Sequence, residues 1–150
     1  GLETTHSPGN FEVFTRPEGS ILIADGAHTN GSAKVLIQTL NELYPNRKFI
    51  FVVAMADDKD HCGFLRELYA AKPVSVYCTQ INVAGGTLRT TRANVLASAH
   101  DSSSSEPEPI IDSVFDTALS NALERAEEDG AIVVVTGSLY TFTALQKALF

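Results

Sequence analysis

The sequence predicts an α/β fold, an open sheet with helices on both faces, and three observations point there. Short apolar runs alternate along the chain with segments of helical periodicity. The central runs are apolar at every position, as expected of strands covered on both faces. Strands that alternate with helices pair in parallel through crossovers.

The elements follow in order. Residues 11–15 read as a short strand, and 20–24 as an apolar run that stops at Asp25-Gly26. Ala33, Leu36, Ile37, Leu40, Leu43 and Tyr44 share one face of a helix, which Pro45-Asn46 ends. Residues 49–54 form a continuous apolar strand. Phe64, Leu65, Leu68 and Tyr69 mark a second helix, closed near Pro73, and 74–78 a third buried strand. Residues 82–91, polar and containing Gly85-Gly86, read as a loop, and 91–99 as a short helix. The stretch 101–109, Asp-Ser-Ser-Ser-Ser-Glu-Pro-Glu-Pro, is low-complexity and predicts a mobile surface loop. Ile110 and Ile111 belong to a short strand. Phe115, Ala118, Leu119, Ala122, Leu123 and Ala126 give a helix that Asp129-Gly130 ends. Residues 131–135 are the last strand and 139–150 the last helix. No internal repeat is visible, and 1–150 reads as one domain.

The chain has 150 residues, 44% of them hydrophobic and 19% charged, ordinary for a globular protein with a real core. Its net charge of −7 has the wrong sign for a duplex-binding surface, so no nucleic-acid partner is expected. No apolar run reaches the ~18 residues of a membrane helix, so no membrane partner is expected, and the first residues lack the features of a signal or transit peptide. Cys62 and Cys78 lack zinc-finger spacing and read as small packed hydrophobes in a reducing, intracellular compartment.

Ligands of open α/β sheets bind beyond the carboxyl ends of the strands. Three polar clusters fall there: Asp25-Gly26-Ala27-His28-Thr29-Asn30, Asp57-Asp58-Lys59-Asp60-His61 and Thr136-Gly137-Ser138-Leu139-Tyr140. The opposite edge carries plain turns at Pro45-Asn46, Lys72-Pro73 and Asp129-Gly130. Each cluster also has a purely structural reading. Asp25 could end a strand, Asn30 could cap a helix, the aspartates could favour a helix N-terminus, and Ser138 could cap the last helix. The functional reading gives Asp25 a sugar hydroxyl to accept from, Lys59 an anionic partner, and the Gly-Ser turn free N–H groups for an anion. The sequence shows no G-x-x-x-x-G-K-[ST] or G-x-G-x-x-G motif, no zinc-type histidine spacing, and no nucleophile elbow around Ser138.

Together the clusters resemble the C-terminal domain of folylpolyglutamate synthase and dihydrofolate synthase, members of the Mur ligase family. The residues that carry the resemblance are Pro8-Gly9-Asn10-Phe11-Glu12-Val13, Asp25-Gly26-Ala27-His28-Thr29, Met55-Ala56-Asp57-Asp58-Lys59-Asp60 and Thr136-Gly137-Ser138-Leu139-Tyr140. Thr29 resembles the eukaryotic form, and 51–61 with the Ala84-Gly85-Gly86 loop resemble plant members. The resemblance implies a three-layer Rossmann-like sheet, mostly parallel with an antiparallel first edge strand. It implies an enzyme that uses ATP and Mg2+ to join L-glutamate to a folate or dihydropteroate carboxylate through an acyl phosphate. An N-terminal ATPase domain of the same protein, outside this chain, would hold the phosphate loop and most metal ligands, so the isolated domain would be inactive and hold no catalytic or metal residue of its own. Carried over, Asp25 would meet the ATP ribose and His28 the phosphates. Lys59 would hold a glutamate carboxylate with Asp57 fixing it, and Ser138, Leu139 and Tyr140 would line the same pocket. Asn10 departs from the family's usual Arg, which reaches the ATP phosphates. The resemblance leaves cytoplasm, mitochondrion and plastid equally open. Two other readings stand beside it: a stand-alone nucleotide- or amino-acid-binding module, and an unrelated α/β enzyme with Asp25 and Asp57 around magnesium.

Overall fold

Side chains in a strand alternate between its two faces, and strand 48–53 shows the consequence. Phe49, Phe51 and Val53 enter one apolar layer, while Ile50 and Val52 enter the other. Both layers are buried and apolar, so the run is apolar throughout. The computed structural model describes residues 3–7 and 11–149. The strands are β1 (Glu3–Ser7), β2 (Phe11–Thr15), β3 (Ile21–Asp25), β4 (Lys48–Val53), β5 (Ser75–Cys78), β6 (Ile110–Ile111) and β7 (Ala131–Thr136). The helices are α1 (Asn30–Leu43), α2 (His61–Tyr69), α3 (Ala93–Ser98), α4 (Phe115–Asp129) and α5 (Tyr140–Leu149). None is long and apolar enough to cross a membrane.

The strands form one sheet in the order β1-β2-β3-β7-β4-β5-β6. From β3 to β6 all neighbours are parallel. β2 runs antiparallel to β3, as expected of the first strand. A further strand, β1, lies outside it in antiparallel register, Glu3 opposite Thr15 and Ser7 opposite Phe11. Glu-Thr-Thr-His-Ser carries no apolar alternation, so its strand character comes from pairing with β2 and not from burial pattern. The crossover from β3 through α1 to β4 skips one position, which β7 fills at the end of the chain.

The helices divide between the layers. Ala33, Leu36 and Leu40 of α1, Phe64, Leu65 and Leu68 of α2, and Leu96 of α3 pack on one face of the sheet. Phe115, Ala118, Leu119 and Ala122 of α4, and Leu145 of α5, pack on the other. The turns at the edge away from the strands' carboxyl ends are tight, with left-handed backbone at Asn46, Lys72 and Gly130 (φ 64°, 51° and 66°). Cys78 is buried as expected, and burial pushes its thiol up to about 12. Cys62 is exposed instead, because the second residue of α2 faces away from the sheet.

The cap of α1 also differs from the sequence reading. Thr29, not Asn30, is the capping residue, and its hydroxyl accepts from the Ser32 N–H at 3.1 Å while the Ser32 hydroxyl accepts from the Thr29 N–H at 2.9 Å. This reciprocal box starts α1 immediately after His28. Thr29→Ala should lower stability by about 1 kcal/mol, read as a lower thermal midpoint with an unchanged far-ultraviolet spectrum.

Candidate functional site

Register levels the three central strands at their carboxyl ends. Ala24 lies beside Val135, and Val53 beside Thr136. The chain leaving β3 is then sewn to the chain leaving β7. The Ala27 carbonyl accepts the Gly137 N–H at 2.9 Å and the Thr136 hydroxyl at 3.4 Å. The Thr136 carbonyl in turn accepts the Ala54 N–H at 3.3 Å. Gly137 sits at φ 107°, and a Cβ there would strike the Ala54 carbonyl oxygen. At Gly26 a Cβ would come within 2.7 Å of Leu139. At Gly137 only glycine fits, because the clash is with backbone at a left-handed φ, whereas at Gly26 the Leu139 side chain can move aside.

The result is a cavity of about 210 Å3 lined by His28, Ala56, Lys59, Gly137, Ser138, Leu139 and Tyr140. All three sequence clusters contribute to it. The His28 ring is held by Nδ1, which donates to the Gly26 carbonyl at 2.9 Å. A carbonyl only accepts, so Nδ1 carries the proton and Nε2 is left for another partner. The Ser138 hydroxyl accepts the Tyr140 N–H at 3.1 Å, and the Ser138 carbonyl accepts from Thr141. Ser138 therefore shapes the start of α5, as the structural reading of that turn proposed. Leu139 and Tyr140 are exposed and form an apolar lip.

Asp25 and Asp57 do not line the cavity. Asp25 is 8% exposed, and one of its oxygens accepts the Ala27 N–H at 2.8 Å. Burial raises its pKa above the ordinary value, and the hydrogen bond from Ala27 offsets part of that. Asp57 is exposed, and among the described residues Lys59 makes no ion pair with it. Asn10 lies outside the described residues. Among those described, no three His, Cys, Asp or Glu side chains converge to hold a metal ion.

Two further residues of the second cluster build this rim: Asp60, for which the reading of the aspartates as a helix start holds, and His61, which the sequence reading gave no role. Asp60 caps α2 through the Gly63 N–H at 3.0 Å and also accepts from Asn30 at 3.0 Å, tying the starts of α1 and α2 together. These bonds hold its carboxyl below the usual range. His61 donates from Nε2 to the Ala56 carbonyl at 2.9 Å, folding the loop that carries Lys59. The local signals, Asp before an apolar helix and a His five residues after Ala56, occur too often to be distinctive. Three helices, α1, α2 and α5, thus begin around one rim, and their N-termini favour negative charge.

A mostly parallel α/β sheet whose central loops close on one small cavity defines a domain of the open-sheet α/β class. Within that class, the chain belongs to the Mur ligase, glutamate ligase domain family, which matches residues 9–139. Family membership overturns the reading as an unrelated magnesium enzyme. The chain is 27% identical, over 99% of its length, to a probable dihydrofolate synthetase of Schizosaccharomyces pombe, and covers 36% of that protein. Its fold matches a bifunctional folylpolyglutamate synthase/dihydrofolate synthase from Yersinia pestis complexed with AMPPNP and Mn, at TM-score 0.75 and 29% identity, covering 96% of this chain and 32% of that one. A bifunctional synthase with Mn, AMPPNP and L-glutamate bound matches at TM-score 0.74 and 29% identity, over 96% of this chain and 32% of that one. The folylpolyglutamate synthase of Mycobacterium tuberculosis, complexed with ADP and AMPPCP, matches at TM-score 0.78 and 25% identity, over 95% and 32%. The chain spans about a third of the length of these relatives.

Two substitutions test the geometry of the rim. Gly137→Ala should cost more than about 2 kcal/mol, since a left-handed backbone and a backbone clash act together. Gly130→Ala, left-handed but open around its Cα, should cost about 1 kcal/mol. Comparable midpoints for the two would contradict the close approach at Ala54. For Asp25 the folded pKa lies above the unfolded one. Its destabilisation is therefore absent below the unfolded value and grows as pH rises through the folded one. Asp25→Asn keeps an acceptor for Ala27 and should raise stability at pH 7, with the gain vanishing towards pH 3 in paired denaturation curves.

Proposed function

We propose that this chain is the C-terminal domain of an ATP-dependent ligase that adds glutamate to a folate or dihydropteroate carboxylate. In this reading it positions the nucleotide and the incoming amino acid for a larger protein. The observation that carries it is the meeting of His28, Lys59 and Ser138–Tyr140 around one cavity. At about 210 Å3 that cavity is smaller than the roughly 300–1,000 Å3 of whole-ligand pockets. Its size suits an amino acid, or one end of a site completed by another domain.

The roles follow from chemistry. Asp25, at the end of β3, accepts from the ribose hydroxyls of ATP. His28, its ring fixed through Nδ1, turns Nε2 towards the phosphates. Lys59, on the loop held by His61, takes a glutamate carboxylate as a compact positive charge, with Asp57 beside it on the same loop. Ser138 supplies a hydroxyl, and Leu139 and Tyr140 cover the aliphatic part of the amino acid. Placing His28 and Lys59 against one cavity sets the activated phosphate end beside the glutamate amine. The reaction needs that juxtaposition, since the glutamate amine attacks the carbonyl carbon of the acyl phosphate, the amide C–N bond forms as the C–O bond to phosphate breaks, and inorganic phosphate and the amine proton leave. The rate then comes from positioning and from charge stabilisation on closure. Mg2+, when bound, would offset phosphate charge. The described residues offer no three-ligand site for it, and its ligands are assigned to an N-terminal ATPase domain of the same protein. For that reason the domain by itself is proposed to be inactive. The names of the matching relatives, and the bound AMPPNP and L-glutamate of one of them, support this reading.

In the full-length protein, Lys59→Ala should raise KM for glutamate by about tenfold or more, the value of one charged hydrogen bond, and change KM for ATP little. Equal effects on both would contradict the assigned role. Asn10→Arg supplies the fixed cation that family members carry and should lower KM for ATP. No change would remove position 10 from the phosphate contacts.

A further inference from the structure

The low-complexity stretch 101–109 is exposed along most of its length, yet it is fastened at two points to the buried end of α3. His100 follows that helix, and its side chain is only 3% exposed. Its Nε2 lies 3.2 Å from Glu106 Oε1, and its Nδ1 lies 3.6 Å from Glu108 Oε2. The ring packs on Tyr69 with centroids 4.4 Å apart. The Tyr69 hydroxyl reaches past it to donate to the Pro107 carbonyl at 2.8 Å. The loop therefore folds back over α2 and α3, walls a cavity of about 490 Å3, and then enters β6.

We infer that His100 is a proton-operated clasp for this loop, closed by Glu106 and Glu108 together only when the imidazole is charged. A neutral imidazole carries one N–H, whereas the charged ring carries two. When Nε2 donates to Glu106, a neutral ring turns a lone pair at Nδ1 towards the Glu108 carboxylate, and the two repel. Protonation replaces that lone pair with a donor facing Glu108 3.6 Å away, and Nδ1 has no hydrogen-bond partner in the structure. The charged and titratable groups around the ring come from three elements. Cys62, Arg66 and Tyr69 face it from α2, Cys78 lies beyond Tyr69 on β5, and Asp101, Glu106 and Glu108 belong to the loop. Lys72, after α2, lines a second cavity with Tyr69, Glu106 and Pro107, so the three carboxylates face two cations, Arg66 and Lys72. Opening the clasp removes the Glu108 contact while Tyr69 still holds the Pro107 carbonyl, so the loop loosens at its far end, next to β6, an edge strand of two residues paired with β5. The device is independent of the ligand rim at the carboxyl ends of β3, β4 and β7.

The test is amide exchange across Glu108 to Asp112, expressed as protection relative to the intrinsic rate at each pH. His100 ring resonances are followed in the same samples. In the native chain, protection should fall at least threefold as rising pH takes the His100 ring through its own observed titration, and the two midpoints should coincide. Glu108→Gln, an exposed and tolerant position, should flatten this dependence, because a neutral amide can accept from or donate to Nδ1. Uniform protection across the range in the native chain would overturn the clasp, and so would an undiminished fall in Glu108→Gln.

Discussion

The Ala27 carbonyl is the joint on which the rest of the rim depends. It accepts from the Gly137 N–H and the Thr136 hydroxyl, residues more than a hundred positions away in the chain. The bond can form because β7 is inserted between β3 and β4 and ends level with both. Without a glycine at 137 the loop after β7 could not approach Ala54, and Ser138, Leu139 and Tyr140 would stand away from His28 and Lys59. The site is thus a product of sheet order and of Gly137 as much as of its polar side chains.

The constraint reaches outward into the helices. Sewing the loops together puts the first turns of α1, α2 and α5 around the same opening. Asp60 bonds both the Gly63 N–H and the Asn30 side chain, so the N-termini of α1 and α2 are tied together. The chain's own side chains cap these first turns, Thr29 the Ser32 N–H, Asp60 the Gly63 N–H and Ser138 the Tyr140 N–H.

Much of this was legible in the sequence. The apolar runs in β3, β4 and β7 announced strands buried on both faces, and the polar residues after each announced the edge at which ligands gather. What could not be read is what depends on distant partners. β1 is polar and becomes a strand only by pairing with β2. The cap of α1 passes from Asn30 to Thr29 because Ser32 completes a reciprocal box, a local competition that residue preference does not settle. Asp57 and Lys59 are near in sequence, yet they share no bond here. The stretch 101–109 reads as mobile from composition, but Tyr69 and His100, both distant from its serines in character, hold it down.

The account stands on the convergence of three separated loops on one ligand site. Its most direct measurement is a chemical-shift map of this chain titrated with millimolar L-glutamate and, separately, ADP. The account predicts shifts clustered at residues 25–29, 56–61 and 136–140, with overlapping but distinct sets for the two ligands. Shifts confined to one of these segments, or centred on the cavity between Gln80, Phe115 and Lys147, would contradict it.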